Sequence, residues 1–208
     1  DLSHELYFAL AAGSSLPGTW RMPSIDMPFG ADIEEMMSVA MGGMDSYDFH
    51  ALEVIQSMAE RRAGGETGIA AVQGLKGDAV WQAMDAGSWS EGGWDPTLFE
   101  ACLARTQTLA QPETYSHRYP TPEQLREWVK DPVAYRIEYG DGTKATMLLM
   151  SGLVGDFTFA ARIKGQAAPL STLFYLPPVP NVMYSAELMA KAEAAFMTRK
   201  SPCPIERT

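Results

Sequence analysis

His50 follows a Gly42-Gly43 pair, with Asp45, Ser46, Tyr47 and Asp48 between them. An imidazole close to two carboxylates is the equipment of proton transfer, because its ordinary pKa lies near neutrality. Two opposing effects act on it. A helix N-terminus disfavours imidazolium, whereas Asp45 and Asp48 favour it, and together they are expected to hold His50 near neutral pH. The alternative is that His50 bonds a neighbouring loop and does no chemistry. Other chemistry finds little material. His4 and His117 are not spaced from His50 like ligands on one element, so no zinc site is expected. The chain lacks a dinucleotide G-x-G-x-x-G, a phosphate-binding lysine loop, H-E-x-x-H, C-x-x-C and G-x-S-x-G.

His50 needs an element to hold it. The two glycines allow a sharp turn or a close approach of backbone. Asp45 or Ser46 can cap the helix that follows, expected over 45–62. Asp48, Ala51, Leu52, Ile55, Met58, Ala59 and Arg62 recur at helical spacing and predict a core-facing stripe, with His50 off it. Residues 33–41 are expected to be the strand that enters the glycine pair.

Around this unit the chain reads in order. Residues 5–12 suit a short buried strand stopped by Gly13. Residues 16–30 read as a proline-punctuated loop carrying Trp20 and Arg21, where the Trp either packs the loop down or walls a ligand. Residues 69–75 suit a strand. Asp78, Asp95-Pro96 and Thr121-Pro122-Glu123-Gln124 each start a helix, the last by a capping box, so that about 76–130 forms a helical insertion. Then the period changes to two from Val133 to Tyr139. Asp141-Gly142 predicts a two-residue hairpin turn setting Ile137 opposite Thr146 and Tyr135 opposite Leu148. Strands follow at 143–150, 157–164 and 170–176. A final helix over 185–200 places Leu188, Met189, Ala192 and Phe196 on one side. The fold class is therefore α+β, a predominantly antiparallel open sheet with helices packed on one face. Both faces of the strand near Met147 are apolar, and another subunit is expected to cover the second.

Bulk properties narrow the partners. A net charge of −10 and no basic stripe argue against nucleic acid. No apolar run reaches the roughly 20 residues that span a bilayer. Asp1 and Glu5 stand where a signal peptide would be basic, which points to the cytoplasm and leaves open an export signal further upstream. Cys102 and Cys203 read as one core and one surface thiol. Both ends of the sequence look like cuts through a longer protein.

The Gly42-Gly43 pair, the polar and acidic residues after it, and His50-Ala51-Leu52-Glu53 resemble the second-domain signature of the glucose–fructose oxidoreductase/inositol dehydrogenase/MocA family. That resemblance implies an NAD(P)-dependent dehydrogenase of sugars or polyols. Residues 1–16 would be the last strand of an upstream dinucleotide-binding domain, and 17–208 the substrate and oligomerisation domain. It implies His50 and Asp45 as the catalytic pair, Trp20, Arg21, Ser46 and Tyr47 as a substrate wall, and Ser14 and Ser15 beside the cofactor. A homo-oligomer would form through the antiparallel sheet. The sequence departs from the pattern at three points. Ser46 occupies the family's Asp position, its Glu-Lys-Pro segment is absent, and so is the dinucleotide fingerprint; this chain alone is expected to bind NAD(P) poorly. The alternatives are a non-catalytic dimerisation scaffold and a carbohydrate-binding module.

Overall fold

Strand β2 (Ile33–Ala40) is buried on both faces over its second half, and the sheet is built outward from it. The computed structural model describes residues 16, 19–111, 119–176 and 183–200. Within them lie β1 (Arg21–Met22), β2, helix α1 (Asp48–Ala59), β3 (Ile69–Lys76), α2 (Asp78–Ala86), α3 (Pro96–Leu103), α4 (Pro122–Trp128), β4 (Val133–Tyr139), β5 (Lys144–Leu149), β6 (Phe157–Ile163), β7 (Leu170–Phe174) and α5 (Met183–Thr198). The sheet runs β1-β7-β6-β2-β5-β4-β3. Every pairing is antiparallel except β2 with β5. The class is α+β, with an open, mostly antiparallel sheet.

The strand at residues 5–12, Ser14, Ser15, Cys203, His4 and His117 lie outside the described residues. The expected 16–30 loop contains one short strand, β1, whose Arg21 pairs with Phe174 of β7.

Helices pack on both faces of the sheet, not on one. Alternation along β2 sends Met36 and Ala40 to one side, where α1 contributes Ala51, Val54, Ile55, Met58 and Ala59. Met37 and Val39 face the other side, against Leu98, Phe99 and Cys102 of α3 and Val80 and Trp81 of α2. The doubly apolar strand at Met147 is thereby covered from within the chain. Met147 and Leu149 belong to the α1 side, and Leu148 and Met150 to the side of the three insertion helices. No second subunit is needed there. Burying Cys102 in this layer pushes its thiol up to about 12, which keeps it inert.

Two helix starts follow the sequence closely, whereas α2 is preceded by Gly77 as N-cap and Asp78 makes no side-chain cap. The Asp95 side chain accepts from the Thr97 amide, and Thr121 and Gln124 form both halves of a capping box. The hairpin differs from expectation by one residue. Tyr139 N–H donates to Thr143 O at 2.9 Å, and Gly142 N–H to Tyr139 O at 2.9 Å. With Gly142 at φ +87° this is a three-residue loop with a left-handed glycine, not a two-residue turn. Ile137 therefore sits opposite Ala145, and Tyr135 opposite Met147. In α5, Ala192 of the expected side is buried together with Ala195, while Met189 and Phe196 of that side are exposed.

Buried Arg62 ties the end of α1 to this hairpin. Its guanidinium donates to Ala59 O at 2.8 Å, Thr67 Oγ1 at 2.6 Å and Asp141 Oδ2 at 2.8 Å, and lies 4.4 Å from the Tyr139 ring centre. Burial alone would raise the Asp141 pKa, but the hydrogen bonds from Arg62 and the Thr143 amide outweigh it and hold the carboxyl below its usual value. Removing one partner of such a pair strands the other. Arg62→Ala is expected to cost about 2–3 kcal/mol, discounted because Asp141 is partly solvated. Urea unfolding should show a lower midpoint with an unchanged slope.

Candidate functional site

Because β2 and β5 are parallel, their carboxyl ends emerge together, the place where open sheets commonly bind ligands. The Gly42 turn forms there. Gly42 has φ +106°, and a Cβ on it would lie 2.2 Å from Tyr47 Cβ. Its N–H donates to Ser151 Oγ at 2.7 Å, and Ser151 Oγ donates back to Gly42 O at 3.2 Å. The turn therefore locks the exit of β2 to the exit of β5. Ser46 Oγ donates to Gly43 O at 2.9 Å, and Asp45 adopts φ +61°, a conformation Asp tolerates better than most residues.

The helix begins at Asp48, with Tyr47 as N-cap and no side-chain cap bond, so neither Asp45 nor Ser46 caps it. The reason is local. The Asp48 carboxylate accepts from the Asp45 amide at 3.1 Å and the Phe49 amide at 2.9 Å, and from Tyr135 Oη at 2.9 Å. It takes over the work of a cap from inside the first turn. Burial would raise its pKa, but these three donors prevail and lower it. Tyr135 is pushed up to about 12, by burial first and then by Asp48, and remains a donor.

His50 sits among aromatic rings. Its ring centre is 5.9 Å from Tyr47, 5.5 Å from Phe49 and 6.4 Å from Phe157. Burial lowers its pKa below the usual value, so at pH 7 it is a neutral imidazole able to accept a proton. Tyr47 and Phe49 are each about two-fifths exposed, at 39% and 41%, so the niche has an apolar rim open to solvent. Asp45 is exposed, and its amide serves Asp48. Three residues beyond His50, burial and then Glu60 raise Glu53 to about 7. Its protonated form is the better tolerated in the fold, so Glu53 costs stability as pH rises from 4.5 through about 7.

The expected substrate wall is divided. Ser46, Tyr47 and His50 share the turn and first turn of α1. Trp20 and Arg21 line a different cavity of about 700 Å³, with Asp26, Arg61 and Tyr175. Arg21 and Arg61 both pair with Asp26, at 3.2 and 3.5 Å. Arg21 also lies 3.8 Å from the centre of Phe174, whose strand partner is Phe157, so two phenyl rings stand between it and His50. Ser14 and Ser15 lie outside the described residues.

A third feature went unread in the sequence. A cavity of about 610 Å³ beside the Gly42 turn is lined by Lys76, Lys130, Asp131, Trp128 and Ser151. Neither lysine stands in a motif, and only the sheet order brings the end of β3 beside the loop before β4. Among the described residues no cluster of His, Cys, Asp and Glu could hold a metal ion.

A dinucleotide does not fit the glycine pair. The Gly42 amide is already taken by Ser151 and its open face is filled by Tyr47, so the turn offers no cradle for a pyrophosphate. Gly42→Ala should clash with Tyr47 and strain the backbone together, costing about 2–4 kcal/mol. Thermal unfolding should record a correspondingly lower midpoint, and the His50 ring resonances should move as α1 shifts. No protein-family model, no curated protein and no solved structure matches the chain.

Proposed function

We propose that the chain is the substrate domain of an oxidoreductase-like protein related to the glucose–fructose oxidoreductase/inositol dehydrogenase/MocA family, acting on a sugar or polyol. The single observation that carries the reading is the neutral His50 in its aromatic niche at the exit of β2. A neutral imidazole accepts a hydroxyl proton, and the exposed faces of Tyr47 and Phe49 suit the C–H faces of a sugar ring. The order of strand, glycine pair, His-bearing helix and open sheet also supports it. The Gly42 turn offers no dinucleotide cradle, so the reading assigns to the described residues the binding of the hydroxyl and the movement of its proton. NAD(P) would be held by chain outside them.

A second reading is a non-catalytic sugar-binding or dimerisation domain. It is favoured by the Asp48 carboxylate, which is consumed by Tyr135 and two amides. In either reading a homo-oligomer would form at β3, the sheet's edge strand, where seven of eight residues are exposed on both faces.

The test is turnover of a sugar and polyol panel by the full-length protein, with NAD⁺ and NADP⁺ supplied. The enzyme reading expects His50→Gln to lower kcat/KM by about 10²–10⁴-fold with polyol binding retained. It also expects the wild-type rate to fall as acidity protonates His50, with a midpoint below the ordinary 6.5. Turnover unchanged in His50→Gln would remove the enzyme reading. Polyol binding without turnover would select the second.

A further inference from the structure

The cavity between the β2, β3 and β5 ends and the loop before β4 is separate from the His50 niche, and its chemistry is different. Lys76 is the last residue of β3, and register places it opposite Val133 of β4. Lys130 lies three residues before Val133, in the turn that leaves α4. Gly77 N–H donates to Pro132 O at 3.0 Å, fixing that turn over the end of β3. Gly152 fixes it from the other side, since a Cβ there would lie 2.2 Å from Trp128 O. Two backbone contacts thus hold both lysines on one cavity.

The electrostatics are unusual for this chain. In a protein of net charge −10, two ammonium groups converge where only Asp131 opposes them. Among the described residues neither Lys76 nor Lys130 forms an ion pair, whereas Arg21, Arg61, Arg62, Arg126, Lys144, Arg162 and Lys164 all do. Gly77, which also lines the cavity, is the N-cap of the nine-residue α2 and supplies no side-chain cap, while Asp78 in the first turn offsets the positive end of that helix. By contrast, the two arginines of the Trp20 cavity already share Asp26, which neutralises part of their charge.

The kind of cation narrows the ligand. Arginine's planar fork serves carboxylate and phosphate alike, whereas lysine is a compact point charge, and two of them match the two negative charges of a phosphomonoester. No arginine lines this cavity. Its volume of about 610 Å³ falls within the range of small-molecule sites, and Trp128 supplies one apolar wall.

We propose that this cavity binds a small phosphomonoester, with Lys76 and Lys130 on the phosphate and Trp128 against the organic part. The proposal stands independently of the chemistry assigned to His50.

Isothermal titration of the chain at low ionic strength tests it, with a hexose 6-phosphate, inorganic phosphate, the unphosphorylated hexose and succinate as probes. Both lysines are exposed, so the Lys76→Ala/Lys130→Ala double variant should keep the wild-type melting temperature. Saturable binding of the hexose phosphate is expected, weaker by about 10-fold or more in the double variant and unchanged in the distant Lys164→Ala control. Absence of saturable binding up to ~10 mM, equal affinity for the unphosphorylated hexose, or undiminished binding by the double variant would overturn the proposal. Tighter binding of succinate than of either phosphate would overturn the choice of phosphate.

Discussion

The close approach of Gly42 to Tyr47 governs the functional end of this molecule. Where any other residue would carry a Cβ, the Tyr47 side chain already stands, 2.2 Å from that point. The contact lets the chain reverse directly out of β2 into α1, so that α1 runs back along the sheet and buries Ala51, Ile55 and Met58 against it. Ser151 completes the constraint by bonding both the N–H and the carbonyl of Gly42, which couples the ends of the two parallel strands. The His50 niche lies on one side of that junction. The lysine-lined cavity lies on the other.

Charge is distributed differently at the two places. Around His50 one acid, Asp48, is spent on architecture. Asp48 gathers two amides and the Tyr135 hydroxyl, while the ring itself meets mainly aromatic edges and faces. Desolvation then prevails over the carboxylates that composition alone would set against it, and the imidazole is neutral. In the neighbouring cavity the lysines keep their charge for something else, since among the described residues no carboxylate pairs with them. One niche suits neutral hydroxyls and the other an anion.

How far the sequence foretold this depended on how local each signal was. Asp95-Pro96 and Thr121 to Gln124 form caps from residues within one turn, and both stand as read. The apolar stripe of α1 was legible for the same reason, except that Leu52 is only half-buried and Val54 is buried in the core. The hairpin failed by a single residue because Gly142 could serve a two- or a three-residue loop, and the observed loop closes between Tyr139 and Thr143. Coverage of both sheet faces was not legible. Whether the apolar residues of α2, α3 and α4 meet Leu148 or leave it for another subunit depends on strand order, which no local pattern carries. The split between Trp20 and His50 has the same origin: β1 joins the sheet beyond β7, with β7 and β6 between it and β2.

The ring of residue 50, uncharged at the exit of β2, is proposed to be the acceptor of a polyol hydroxyl. A crystal structure of the chain grown with a polyol tests this most directly. The account predicts ligand density with a hydroxyl within hydrogen-bond reach of the imidazole and a C–H face on Tyr47 or Phe49. Density confined to other surfaces, with the His50 ring packed shut against its neighbours, would contradict it.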